Sequence, residues 1–180
     1  ISLILSVLII RNLDINFLYN TILITAAFYL FFITLRDFFH RKYRNLSQIT
    51  AHFSFSILIL SILFNNIFSS EVITNLKINE TYQAQNLKIN FESIEQENKQ
   101  NFKAIRGKFI VEDQSGLIEV MQPELRIYNQ PNIVTSEADI KTNIFTDKFM
   151  TMNYVQNQDY FNIRYQVKPF MIWIWISTIL

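Results

Sequence analysis

The chain has 180 residues, of which 50% are hydrophobic and 17% charged, with 17 Phe but only 2 Gly. Its net charge of +1 gives no basic field of the kind that holds a nucleic acid. The absence of Cys excludes a disulfide framework, a thiolate metal site, an iron–sulfur cluster and a Cys nucleophile.

The charges divide the chain into two regimes. The runs 15–35 and 49–68 contain no Asp, Glu, Lys or Arg, whereas 71–168 holds eleven basic and thirteen acidic residues. At about 1.5 Å per residue, each uncharged run reaches roughly 30 Å as a helix, which is the hydrocarbon thickness of a bilayer. We therefore predict two transmembrane helices. The apolar segments 1–10 and 169–180 are interpreted as the end of an earlier span and the start of a later one.

The basic segment between the two spans predicts their orientation. Residues 36–48 include Arg36, Arg41, Lys42 and Arg44, whereas the other side of the first span carries only Arg11. The positive-inside rule places 36–48 on the inner face and 69–168 on the outer face. The predicted location is a bacterial inner membrane with 69–168 in the periplasm, or a mitochondrial inner membrane.

The outer segment shows the period-two alternation of half-buried antiparallel strands. A hairpin turn is predicted at 113–116, where Gly116 is free to adopt a positive φ. Pro123 and Pro131 bound a further short strand. The fold class predicted is a membrane α-helical bundle with an inserted antiparallel β-domain, a sandwich or partial barrel. The alternating apolar residues are Leu87, Ile89, Phe91, Phe109, Val111, Ile163, Tyr165 and Val167.

His52 is the first candidate for a functional residue, because ionisable groups within membrane helices are rare and usually functional. One interpretation is a neutral structural His that hydrogen-bonds a neighbouring helix, with Ser54, Ser56 and Ser61 nearby on the same span. The other is a metal ligand. A single imidazole among apolar residues suits haem iron better than zinc, because haem supplies four nitrogens of its own. Spacing leaves both open.

Other polar and aromatic residues have simpler interpretations. His40 is predicted to be solvated or to face lipid head groups, and Trp173 and Trp175 to lie in the outer aromatic belt, with Pro169 in the first turn of their helix. Glu124 and Arg126 are two apart on a strand, so a surface ion pair is expected. No Ser, His and Asp set, phosphate loop or close carboxylate pair is recognisable, so self-contained hydrolysis is not predicted.

Several motifs occur in a characteristic order: Ala51-His52 near the start of a span, QPELRIY at 122–128, TSE at 135–137 with Ile140, and YQVKPFMIWIW at 165–175. This order resembles the C-terminal part of the CcmF family, the haem lyase component of cytochrome c maturation. The likeness covers about residues 36–180. Phe53 and Ser54 depart from it, standing where the family usually has a small apolar residue and Gly; Leu125 replaces the usual Lys.

The resemblance implies a multispanning protein that supports covalent attachment of haem to apocytochrome c. It implies that His52 is one axial ligand of a b-type haem, which donates electrons and whose second ligand lies outside 1–180, as does the haem-presenting loop. Expected partners are other maturation subunits, apocytochrome c, membrane lipids and a quinol. Two alternatives stay open: an outer β-domain that only binds proteins, with a structural His52, or a transporter fragment in which His52 relays protons.

Overall fold

The computed structural model describes residues 1–11, 16–40, 45–84, 87–113 and 116–180. They form two compact units, one helical and one built from strands. The helical unit comprises Ile1–Ser69, Asn143–Thr146 and Pro169–Leu180, and the β-domain comprises Ser70–Thr142 and Asp147–Lys168. Of the predicted basic loop, Arg41, Lys42 and Arg44 lie outside the described residues, as do Gln114 and Ser115 of the predicted turn.

The helical unit contains α1 (Ser2–Ile10), α2 (Phe17–Phe39), α3 (Leu46–Phe68) and α4 (Met171–Ile179). Both α2 and α3 have 23 residues and are long and apolar enough to cross a membrane. The helical segments exceed the uncharged runs, since α2 continues through Arg36 and Asp37 and α3 begins three residues before Ile49.

Hydroxyl and aromatic side chains connect the helices. Ser6 on α1 and Thr25 on α2 are 2.6 Å apart through their hydroxyl oxygens. Phe28 on α2 packs edge-on against Phe64 on α3, with ring centroids 5.9 Å apart. Interhelical hydrogen bonds and close packing drive helix association where the hydrophobic effect between helices is weak.

The start of α4 differs from the sequence prediction. Pro169 is the last residue of a β-strand and not part of the first helical turn, and Phe170 caps α4 with a φ of 60°. The Phe170 amide donates to the Phe145 carbonyl at 2.7 Å, and the Asn65 side chain donates to the Pro169 carbonyl at 2.6 Å. The chain thus turns from strand to helix through one left-handed residue held by hydrogen bonds. Trp173 is half-buried, and the aromatic-belt role of the two Trp residues remains a prediction.

Within the described residues, the β-domain contains ten strands in two antiparallel sheets. Sheet A has the order β1-β10-β9-β8, and sheet B has the order β2-β3-β4-β6-β7, with β5 paired to β4. The strands are β1 (Ser70–Leu76), β2 (Thr81–Ala84), β3 (Leu87–Asn98), β4 (Phe102–Asp113), β5 (Ile118–Met121), β6 (Glu124–Tyr128), β7 (Val134–Glu137), β8 (Asp139–Thr142), β9 (Thr146–Tyr154) and β10 (Phe161–Pro169).

The inward faces of the two sheets form one hydrophobic core. Phe91 on β3 lies opposite Phe109 on β4, and their rings stack with centroids 4.3 Å apart. Alternation along each strand directs these side chains to the same face. The predicted fold class, two apolar helices with an antiparallel β-sandwich, is confirmed. The buried core residues are Leu76, Ile89, Phe91, Phe109, Val111, Met121, Leu125, Met150, Met152, Ile163 and Tyr165.

The predicted turn after β4 leads into β5, which pairs antiparallel with β4. Gly116 has a φ of 74°, and its amide donates to the Asp113 carbonyl at 3.0 Å. A positive φ is what favours Gly at this position. The strand predicted between Pro123 and Pro131 is β6.

Candidate functional site

His52 lies on α3, six residues after its first residue, Leu46, which corresponds to roughly 9 Å along the helix axis. Its side chain is on the exposed side of the helix, and among the described residues it forms no hydrogen bond. Its ring therefore presents nitrogen lone-pair and N–H positions that the described part of the chain leaves available.

The hydroxyl groups expected to satisfy a structural His52 are engaged elsewhere. Ser56 is fully buried, accepts a hydrogen bond from Thr34 at 2.9 Å and donates to the Phe53 carbonyl at 2.7 Å. Ser54 is buried and donates to the Thr50 carbonyl at 2.8 Å. A helix-to-helix hydrogen bond does form at this level of the bundle, and it joins Thr34 to Ser56.

Phe53 and Ser54 are the two residues of this span that depart from the family pattern; Phe53 is half-buried and Ser54 is buried. The Phe53 ring packs against Phe31 and Phe38 of α2, with centroid distances of 5.8 and 5.3 Å. The small Ser54 side chain is only 3% exposed. Phe53 therefore packs in the α2–α3 contact, whereas among the described residues His52 lies on the exposed side of α3.

A narrow recess lies beside His52 and is also lined by Thr34 and Asp37 of α2 and by Gln48 and Ile49 of α3. Its volume of about 10 Å³ has room for no more than one water molecule. A larger group would have to approach from the exposed side of α3. Phe55, one turn further along, is 57% exposed, and Ile62 two turns beyond it is 47% exposed, so that side is apolar beyond His52.

His40 has a different environment. It caps the C-terminal end of α2, is exposed, and its Nδ1 lies 3.0 Å from the Arg36 carbonyl oxygen. His40 thus lies at the end of a helix, whereas His52 lies within one. Among the described residues, no group of three or more His, Asp or Glu side chains is placed to hold a metal ion.

Glu124 on β6 forms a larger ionic cluster than the predicted surface pair. Its carboxylate accepts from Arg126 at 3.1 Å, as expected for side chains two apart, but it also accepts from the Arg106 Nε of β4 at 2.9 Å. Its side chain is only 14% exposed. The Arg106 hydrogen bond is the main reason why the pKa of Glu124 is lowered below its ordinary value of 4.5. The pair is therefore partly buried, and β4 supplies the partner that sequence spacing missed.

Arg126 and Tyr128 of the motif at 122–128 also lie on β6. Tyr128 lies opposite Phe102 on β4, with ring centroids 5.3 Å apart, and the Arg126 guanidinium lies over the Phe102 ring at 5.2 Å. The motif residues Glu124, Arg126 and Tyr128 thus share one face of sheet B.

Comparison with known proteins agrees with this architecture. A family described as the CcmF C-terminal beta-sandwich matches residues 67–169. The chain belongs to this family.

Relatives share the CcmF name or a cytochrome c biogenesis name. The cytochrome c-type biogenesis protein ccl1 of Rhodobacter capsulatus is 29% identical over 104 residues, covering 58% of this chain and 16% of that protein. The cytochrome c-type biogenesis protein CcmF of Pseudomonas aeruginosa is 21% identical over 130 residues, covering 72% and 20%. The chain thus spans a fifth or less of the length of these relatives.

A solved structure named Cytochrome c Heme Lyase CcmF has the same fold, with a TM-score of 0.70 over 98% of this chain and 31% of that chain, at 15% identity. The match extends beyond the β-domain to nearly all of the chain. At this level of identity the match shows that the two chains share a fold, and it assigns no role to individual residues.

Proposed function

We propose that this CcmF chain contributes to cytochrome c maturation, as part of a membrane haem lyase that supports covalent attachment of haem to apocytochrome c. Membership of the family and the names of its relatives support this general function. The helices α2 and α3 support an inner-membrane location. Within this role, His52 supplies one axial nitrogen to a b-type haem held in the membrane.

The observation that carries the assignment is that, among the described residues, the His52 imidazole forms no hydrogen bond. A neutral His in an apolar helix normally has a hydrogen-bond partner, because an unsatisfied polar group in hydrocarbon is unfavourable. The hydroxyl groups of Ser56 and Ser54 are engaged with Thr34, Phe53 and Thr50. A ligand from outside the described residues would satisfy the imidazole. Haem iron is a suitable ligand, because it requires only one or two donor atoms from the protein.

The residues around His52 fit a haem. The face that continues from it along α3 is apolar at Phe55, Ile59 and Ile62, which suits the hydrophobic edge and face of a porphyrin. The recess on the other side is too small for a porphyrin, so His52 would hold the haem against the exposed face. A bound haem would supply a one-electron redox couple. The chain's part is to orient one imidazole and to exclude water through its apolar neighbours.

The β-domain is proposed to lie on the outer face, where it would contact other maturation subunits and apocytochrome c. The cluster of basic residues within 36–48, which the positive-inside rule assigns to the inner face, supports this orientation. Membrane lipids surround the helices in this arrangement, and a quinol is the proposed source of electrons for the haem.

The test is the reduced-minus-oxidised visible spectrum of the full-length protein purified in detergent. His52→Ala is expected to insert normally, to lose most of the b-type spectrum and to impair cytochrome c maturation. Added imidazole is expected to restore part of the spectrum, because it can occupy the vacated axial position.

The matched control is His40→Ala, which removes the same side chain from the end of α2 and is expected to retain haem and maturation. Full haem content and normal maturation in His52→Ala would show that the ligand assignment is wrong. The structural or proton-relay interpretation of His52 would then take its place.

A further inference from the structure

The loop between β8 and β9 carries two large apolar side chains that the described residues leave exposed. This tip loop, Asn143–Thr146, belongs to the helical unit. Ile144 is 61% exposed and Phe145 is 62% exposed. The tip loop contains no Asp, Glu, Lys or Arg. Exposed apolar side chains that lie together mark a surface that contacts lipid or protein.

The tip loop lies beside the last turn of α3. The Phe145 carbonyl accepts a hydrogen bond of 2.7 Å from the Phe170 amide. The Phe170 ring in turn packs against the Phe64 ring of α3, with centroids 5.3 Å apart. Because α3 ends at Phe68, this contact lies roughly 6 Å before the end of the helix along its axis. The tip loop is therefore held at the level at which a span formed by α3 leaves the hydrocarbon.

The backbone of the tip loop finds hydrogen-bond partners within the protein. The Asn143 side-chain oxygen accepts from the amides of Phe145 and Thr146 at 2.9 and 2.8 Å. The Asn143 amide donates to the Thr146 carbonyl at 3.0 Å, and the Phe145 carbonyl is taken up by Phe170. Polar backbone groups without partners are unfavourable outside water, which excludes most irregular loops from lipid. These hydrogen bonds lower the free-energy cost of bringing the tip loop against lipid.

We propose that the tip loop is a membrane anchor, whose Ile144 and Phe145 side chains insert between the lipids of the leaflet at which α3 ends. The backbone of the loop stays at the level of the head groups, and the two side chains reach the boundary of the acyl chains. Apolar side chains on interfacial segments bind membranes in this way, and their binding strengthens with the apolar area that they bury.

Three observations together favour lipid as the occupant of this surface. The tip loop lacks charge, its backbone is internally hydrogen-bonded, and Phe170 holds it at the end of a candidate span. The inference rests on the membrane location in the proposed function and does not require haem at His52. The competing occupant is another protein segment that covers Ile144 and Phe145, so the experiment must separate lipid, water and protein.

The test uses the full-length protein in nanodiscs of phosphatidylethanolamine and phosphatidylglycerol. A nitroxide is attached to single cysteines in a protein otherwise free of Cys, and electron paramagnetic resonance measures its collisions with oxygen and with a water-soluble nickel complex. Oxygen concentrates in lipid, whereas the nickel complex stays in water. We expect Phe145→Cys to collide more with oxygen than with the nickel complex.

Two reference positions calibrate the measurement. Ile62→Cys, on α3 and before Phe64, is expected to report lipid more strongly than Phe145→Cys. Ile133→Cys is the matched control, because Ile133 is also apolar and 50% exposed. Its carbonyl accepts from the amide of Tyr128, which pairs with Phe102 at the start of β4, and we expect its label to report water.

A charge at the tip loop tests whether the side chains hold it against the lipid. With the label at Ile144→Cys, the substitution Phe145→Asp is expected to reverse the preference, so that collisions with the nickel complex exceed those with oxygen. Ile133→Asp is the matched control and is expected to leave the Ile144→Cys label unchanged. Both substitutions replace exposed side chains, so neither removes a residue of the hydrophobic core.

The proposal is overturned if the Phe145→Cys label reports water as the Ile133→Cys label does. It is also overturned if the Phe145→Cys label collides little with either reagent, which would show that protein covers it, or if Phe145→Asp changes nothing. A label at Ile62→Cys that reports lipid would confine such a failure to the tip loop. A label at Ile62→Cys that reports water would overturn the membrane location of α3 as well.

Discussion

The hydroxyl group of Thr34 on α2 donates a hydrogen bond of 2.9 Å to the hydroxyl of Ser56 on α3. Ser56 is one helical turn after His52, and this bond directs the small side chain toward α2 while the imidazole stays on the exposed side. The bond ties the two candidate membrane spans together without using His52. Its role can therefore be separated experimentally from that of the proposed haem ligand.

We expect Ser56→Ala to weaken the α2–α3 association but to retain the b-type haem. A double-mutant cycle with Thr34→Val should give a coupling free energy of about 0.6 kcal/mol, a typical value for hydrogen bonds between membrane helices. The measurement is reversible unfolding of the full-length protein in mixed detergent micelles, together with its haem spectrum. Loss of haem in Ser56→Ala, comparable to that in His52→Ala, would contradict the separation of the two roles.

The β-domain is expected to fold when residues 70–168 are expressed alone. It has a core of its own, from Leu76 to Tyr165, that contains no residue of the helices. A domain of about a hundred residues buries roughly two thirds of its chain surface, so its stability should be modest. Circular dichroism should show a β-type spectrum, and added haem should produce no shifted Soret band. Haem binding by this piece would move the proposed site away from His52.

Gly107 on β4 occupies a position without room for a side chain. A Cβ added there would lie 2.6 Å from the Phe109 ring and 2.9 Å from the Met152 sulfur, which is closer than such atoms approach. Gly107→Ala is therefore expected to lower the free energy of unfolding by about 1–3 kcal/mol, the usual cost of overpacking. Urea unfolding of the isolated β-domain measures the change.

The Met152 contact can be tested by a second substitution. Met152→Ala opens space at the same point. Its reduction of the free energy of unfolding should therefore be at least about 0.5 kcal/mol smaller in the Gly107→Ala background than in the native background. Gly116→Ala is the control, because the substitution there adds a Cβ with no atom of the described residues outside its chain neighbours within 4 Å, and the loss of stability should come from its φ of 74°. Additive effects of Gly107→Ala and Met152→Ala would show that the Met152 contact does not contribute to the steric cost.

The local periodicity of the sequence was enough to predict much of the β-domain. Alternation is a property of neighbouring residues, so the inward positions of Ile89, Phe91, Phe109 and Val111 could be identified without the fold. The irregular register between Phe91 and Ser93 could not, because it depends on how β3 meets β4. It is a feature of strand pairing and leaves no local pattern.

The contacts around the candidate sites that local sequence patterns did not predict also depend on residues far apart in the chain. The Glu124–Arg126 contact follows from a spacing of two, whereas the Arg106–Glu124 contact depends on β4 and β6 lying side by side in register. Similarly, the uncharged span around His52 is visible in the sequence, but the commitment of Ser56 to Thr34 requires the packing of α2 on α3.

Glu124 should make the stability of the β-domain depend on pH in the acid range. Its pKa in the folded domain lies below 4.5, chiefly because Arg106 and then Arg126 donate hydrogen bonds to the ionised carboxylate. The ionised Glu124 therefore stabilises the folded domain fully at pH values above its unfolded-state pKa. This stabilisation is lost as the pH falls through the lower folded-state pKa.

Glu124→Gln should lower the free energy of unfolding by about 1–3 kcal/mol at neutral pH, because it weakens two charge-assisted hydrogen bonds. The difference from the native domain should shrink as the pH falls below 4.5. Urea unfolding of both proteins at neutral pH and in steps through the acid range checks this. A difference that stays constant into the acid range would mean that the lost interaction is not ionic.

The proposed orientation predicts which parts of the chain a reagent can reach from outside. The chain has no native Cys, so single cysteines can be introduced at Asn45, just before α3, and at Gln100, in the turn between β3 and β4. Both positions are exposed. Because the positive-inside rule assigns the basic segment 36–48 to the inner face, a membrane-impermeant maleimide added to intact spheroplasts should label Gln100→Cys and not Asn45→Cys. After permeabilisation both should be labelled to a similar extent, which controls for local reactivity. Labelling of Asn45→Cys alone in intact spheroplasts would reverse the topology and place the β-domain on the inner face, away from the proposed site of haem attachment.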